Sequence, residues 1–172
     1  MTIQTHNAWS CLPCSFAMAI DIPVQEFMDE IGHQGTAEPY ADLDTKAGFH
    51  EQECIDVLQR RGFACTPIEI VPQMVPCAGG PTRQIWFGER PGLSPEDCNW
   101  ERFLSHLQAT SGVLTGMKKK INSDQFIGHA VAWFDGMIHD PQGSGYIYSI
   151  DDAPNYGYIP RAYWKIQEVT NG

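Results

Sequence analysis

Three residue types with the right chemistry stand out in this chain: a histidine, an aspartate and a cysteine at what reads as a helix start. His129 and Asp140 lie within the stretch Gly128-His129-Ala-Val-Ala-Trp-Phe-Asp135-Gly136-Met-Ile-His-Asp140-Pro141. Asp-Gly between two apolar runs is a strong hairpin signal, because a two-residue type I′ loop needs positive φ at both positions. That loop fixes the register: Phe134 pairs with Met137, Val131 with Asp140, and His129 with Gln142. Alternation then puts His129 and Asp140 on one face as diagonal neighbours, with Cβ atoms roughly 7 Å apart, and His139 on the other. A histidine held by an acid on a rigid hairpin is the general-base half of a nucleophilic site, since the acid fixes the tautomer and stabilises the imidazolium. The competing reading is a strand pair with a satisfied histidine and a turn-starting Asp before Pro141.

The nucleophile must come from elsewhere, and six cysteines compete: 11, 14, 54, 65, 77 and 98. Unpaired N–H groups and the macrodipole at a helix N-terminus lower a thiol pKa, and Cys11 is the cysteine so placed, with Ser10 before it as N-cap and Pro13 tolerated in the first turn. The same N–H groups, with the amide of Gln4 or Asn7 just upstream, could form an oxyanion hole. Cys14, one turn further in, reads as a buried small hydrophobe.

The elements that must carry these groups follow from periodicity. A first helix begins near Cys11, with Phe16, Ala17 and Ile20 as its apolar stripe. A second opens after Pro23, with Val24, Phe27, Met28 and Ile31 at helical spacing and Gly32 as its stop. Residues 32–49 form a long polar loop of the kind that lines a cleft. A third helix runs from Glu51 to Arg61, then a strand from Phe63 to Ile70 that Pro67 keeps out of the middle of a sheet. Between 71 and 97 only Gln84–Phe87 reads as a strand. Ser94-Pro95-Glu96-Asp97 announces a helix that buries Trp100, Phe103, Leu104 and Leu107. Strands follow at 112–117, 126–134, 137–140, 146–149 and 158–166, and Lys118-Lys119-Lys120 reads as a solvated strand end. Helices first and antiparallel strands last make an α+β fold.

At 172 residues the chain fits one domain spanning 1–172. Its formal charge of −10, from 11 basic and 21 acidic residues, argues against nucleic acid and anionic membrane as partners. With no apolar run near the roughly 20 residues of a membrane span and no export signal, the expected compartment is the cytoplasm, where the cysteines stay thiols.

The string Cys11-Leu-Pro-Cys-Ser-Phe-Ala-Met18, preceded by Gln4 and followed by Gly128-His129 and Asp140-Pro141, resembles the papain-like cysteine peptidases, and among them the bacterial branch of double-glycine leader peptidases that process bacteriocins. The resemblance implies a papain-like fold, with an N-terminal helical layer carrying the nucleophile at a helix N-terminus, packed on a C-terminal antiparallel sheet. It also implies Cys11 as nucleophile, His129 as base, Asp140 as its orienter and Gln4 as oxyanion donor. The activity implied is hydrolysis of a peptide or isopeptide bond in a peptide or protein substrate, with no cofactor and no metal. Gln4 stands one residue further from Cys11 than the family pattern has, and Leu12 replaces a glycine. Two rivals remain. Trp9-Ser-Cys11-Leu-Pro-Cys14 is similar to the Cys-x-x-Cys of thiol–disulfide oxidoreductases, although only ten residues precede Cys11. A binding module that keeps the fold without catalysis is the other.

Overall fold

The computed structural model describes residues 3–4, 9–35, 48–69, 73–75, 83–85, 100–108, 110–142 and 145–169. Helices α1 (Cys11–Ala19), α2 (Val24–Ile31) and α3 (Glu51–Arg60) precede strand β1 (Phe63–Glu69) and the short strands β2 (Gln73–Val75) and β3 (Arg83–Ile85). Helix α4 (Trp100–Leu107) then leads into β4 (Ser111–Lys119), β5 (Phe126–Phe134), β6 (Met137–Asp140), β7 (Tyr146–Tyr148) and β8 (Tyr158–Glu168), with a 3₁₀ turn at Ala153–Tyr156. Six strands make one antiparallel sheet in the order β1-β8-β4-β5-β6-β7, and β2 and β3 pair separately. The α+β class is thus as the sequence pattern predicts. The proposed start of α4 at Ser94 lies outside the described residues, as do Asn7, Cys77, Cys98 and most of the 32–49 loop. Among the described residues no helix is long and apolar enough to cross a membrane.

Local chemistry explains the boundaries. Gly32, at φ 89°, closes α2 in the left-handed conformation that needs no Cβ. Helix α3 opens with a capping box in which Glu53 accepts the His50 N–H at 2.9 Å. Pro67 lies in β1, at the edge of the sheet, where its missing N–H costs no ladder bond. Ser10 precedes α1 as expected, yet its hydroxyl makes no capping bond; it accepts from the Cys14 thiol at 3.8 Å instead.

The central strands β4 and β5 are buried on both faces, so they read as nearly continuous apolar runs. One face carries Val113, Ala130 and Ile166 against Phe16, Ala17, Phe27, Met28, Val57 and Leu58 of the three N-terminal helices. The other carries Leu114, Val131, Trp133, Ile138 and Tyr163 against Phe103 and Leu107 of α4. Each of these larger side chains stabilises the fold by roughly 1.5–3 kcal/mol on burial. The Trp133 indole N–H donates to the Leu107 carbonyl at 2.8 Å, tying α4 to the sheet.

Candidate active site

The β5–β6 hairpin has the register that its turn dictates. Asp135 and Gly136 have φ of 50° and 75°, the type I′ pattern, and Phe134 pairs with Met137, Trp133 with Ile138 and Ala132 with His139. His139 falls on the face opposite His129, edge-on to Phe134. The ladder stops short of the expected His129–Gln142 pair. Asp140 instead accepts the Gln142 N–H at 2.9 Å across Pro141, an Asx turn that takes the chain away from β5.

This departure opens the site. N–H groups alternate sides along a strand, so that of Ala130 points, like those of Ala132 and Phe134, toward β6. Beyond Asp140 no β6 residue pairs with it. It reaches the Cys11 sulfur instead, which also accepts from the Leu12 N–H at the start of α1. Cys11 arrives from the helical layer on one face of the sheet and His129 from the side-chain row of the other. They meet around this open edge.

Within the site, the His129 Nε2 lies 2.8 Å from the Asp140 Oδ1. That leaves Nδ1 as the ring nitrogen for the hydrogen bond with the Cys11 thiol. Both His129 and Asp140 are buried. Burial pushes the Cys11 thiol up, but the hydrogen bond and charge of His129 and the two backbone N–H groups outweigh it, so the thiol lies below its ordinary value. For His129, desolvation favours the neutral ring and is overcome by Asp140 and Cys11, which raise its pKa. Asp140 has its carboxyl lowered to about 2 against the pull of desolvation, chiefly by His129, with help from Lys118 and the Gln142 N–H. These shifts run in the direction that favours a thiolate–imidazolium pair backed by a carboxylate.

Three further side chains hold this arrangement, none of them assigned to the site from the sequence. Tyr148 donates its hydroxyl to the Asp140 Oδ2 at 3.1 Å. Tyr158, fully buried, donates to the Leu114 carbonyl at 3.0 Å and sets its ring edge-on to the imidazole, with centroids 6.0 Å apart. Lys118 corrects an expectation: it is not a solvated strand end. Only 8% exposed, it places its ammonium on the Asp140 Oδ2. In the β4–β5 register Gly116 faces His129 and Lys118 faces Ile127, so Lys118 shares the side-chain row of His129.

Gln4 is a second correction. Its amide donates to the Ile22 carbonyl at 2.5 Å and accepts the Val24 N–H at 2.6 Å, clamping the turn between α1 and α2. That turn lies at the C-terminal end of α1, about 13 Å of helix from Cys11, so Gln4 is no oxyanion donor. Among the described residues, the backbone N–H groups of Leu12 and Ala130 are donors at the Cys11 sulfur. Cys14 is 1% exposed and turned toward Ser10, and none of the four described cysteines forms a disulfide.

A cleft of about 450 Å³ opens over Cys11 and His129, lined by Trp9, Leu12, Phe49 and His50 from the helical side and by Gly116 and Gly128 from the sheet. The distal end of the 32–49 loop thus reaches the cleft through Gly48 and Phe49. His33 stacks on Phe49 with centroids 4.9 Å apart and meets Glu53 at 3.2 Å, which holds that loop end in place. Compared with known proteins, the chain matches no family model and no curated sequence.

Proposed function

We propose that this chain is a papain-like cysteine peptidase domain that hydrolyses peptide or isopeptide bonds through Cys11, His129 and Asp140. The observation that carries the reading is the line Cys11–His129–Asp140, with one ring nitrogen on the thiol, the other on a buried carboxylate, and the sulfur at a helix N-terminus. In this mechanism the Cys11 thiolate attacks the carbonyl carbon of the scissile bond, and backbone N–H groups at the start of α1 bind the developing oxyanion. The imidazolium passes its Nδ1 proton to the leaving amine, giving a thioester. His129 then takes a proton from water, the hydroxide adds to the thioester, and the thiol leaves with that proton. Asp140 keeps the ring oriented and stabilises its charged form throughout. The cleft supplies room for an extended chain, and Gly128, with open space where a Cβ would stand, lets its backbone approach.

The test is labelling by a small haloacetamide at about pH 6, where an ordinary thiol of pKa roughly 8.5 is almost wholly protonated. Peptide mapping should find Cys11 modified well before the other five cysteines, with the preference reduced in His129→Ala. Cleavage of a mixed peptide library by the wild type, abolished in Cys11→Ala, completes the test. Cys11 labelling no faster than the other cysteines would overturn the reading.

A further inference from the structure

The arrangement just described uses Asp140 as a plain orienting acid, yet the structure surrounds that carboxylate with more than an orienter needs. Its Oδ1 receives the His129 ring and the Gln142 N–H, and its Oδ2 receives the Tyr148 hydroxyl and the Lys118 ammonium. Four donors from four different places fill both oxygens. Two of them, the Gln142 N–H and the Tyr148 hydroxyl, carry no charge, and His129 carries one only while protonated. Lys118 brings a positive charge to a strand position where 10% of the side chain is exposed. Desolvating an ammonium is costly unless a counter-ion is held close. In this sheet that counter-ion is the triad carboxylate itself.

We propose that Lys118 is a positioning residue of the catalytic triad, which shares the Asp140 charge with His129 and thereby sets the upper pH at which the Cys11 thiolate–His129 imidazolium pair survives. The inference rests on the peptidase reading above and deepens it. An unshared buried carboxylate would bind the imidazolium too firmly and hinder the return of its proton to the leaving amine. A cation on the far oxygen weakens that attraction while fixing the carboxylate's rotation. The groups facing Asp140 are His129 from β5, Lys118 from β4, Tyr148 from β7 and the Gln142 N–H. Those facing His129 are Asp140, Cys11 of α1 and the ring edge of Tyr158 from β8. Among the described residues, Lys118 is thus the single fixed cation in this set.

Alkylation of Cys11 across pH reads the proposal without a known substrate. In the wild type the rate should show a lower inflection where the ion pair forms and an upper one where the imidazolium loses its proton. Lys118→Met removes the cation at similar length, and Lys118→Gln removes it while keeping a donor for Asp140. Both should raise the upper inflection by roughly one to two pH units, the shift expected for a charge several ångströms away at a protein-like effective dielectric. The lower inflection should move less, because the sulfur sits on the other side of the ring. Tyr148→Phe, which removes a neutral donor from the same oxygen, should move the upper inflection by less than either Lys118 variant does. An unmoved upper inflection in folded Lys118 variants overturns the proposal, as does failure of both variants to fold, which would assign the ion pair to the architecture of the sheet alone. A wild type with no lower inflection at Cys11 defeats the peptidase reading itself and is recognised before any variant is made.

Discussion

Replacing Asp140 with asparagine should reveal how much of the fold rests on one carboxylate. Its pKa falls from 3.8 to about 2 in the folded chain, close to two pH units, or roughly 2 kcal/mol of preference for the charged form. The sign follows from the direction. An acid whose folded pKa is lowered stabilises the fold fully above its unfolded value, and that contribution is lost as the pH falls from about 4 through about 2. Asp140→Asn does more than protonation does, because it leaves Lys118 buried without a counter-ion, and breaking a buried pair from one side costs roughly 3–5 kcal/mol. With a urea m-value of about 2 kcal/mol/M, the urea midpoint at neutral pH should drop by about 2 M. The stability of the variant should also vary less than that of the wild type between about pH 4 and pH 2. Adding Lys118→Met to Asp140→Asn removes the stranded charge and should recover part of the loss. Urea unfolding followed by tryptophan fluorescence across that range is the assay. A loss under about 1 kcal/mol, or no recovery in the double variant, would show that the two charges are not desolvated together and would refute the reasoning.

Other expected outcomes separate parts of the site. Gln4→Ala should lower stability by about 1–3 kcal/mol, because the Ile22 carbonyl and Val24 N–H lose their partner, while the pH profile of Cys11 alkylation stays unchanged; a slower or shifted profile would return Gln4 to the site. Cys14→Ser should leave Cys11 labelling at mildly acidic pH intact, since Cys14 is buried and turned toward Ser10, and equal loss in Cys14→Ser and Cys11→Ala together with disulfide reductase activity would favour redox chemistry. His129→Ala should suppress the low-pH labelling of Cys11, whereas His139→Ala, on the opposite face of the hairpin, should leave it nearly as in the wild type; the reverse order would contradict the observed register.

The amino-acid sequence alone determined the parts of this protein that depend on neighbours in the chain. Asp135-Gly136 admits one tight turn, and counting outward from it places His129 and Asp140 on one face and His139 on the other, as the structure has them. Cys11 at a helix start, Gly32 as a stop and Pro67 at an edge are equally local, because each rests on the φ or N–H requirement of a single residue. Lys118 was not legible, since six residues separate β4 from β5 and a loop of that length does not fix a register. Only the paired sheet shows that Lys118 shares the row of His129 and that a charge in a Lys-Lys-Lys run is buried. Gln4 failed for the complementary reason: its spacing to Cys11 is a distance along the chain, and the amide found partners at the far end of α1. The meeting of Cys11 with His129 was decided in three dimensions as well. It depends on β6 leaving the ladder at Pro141, which frees one edge of β5 for a helix end that sequence places more than a hundred residues away.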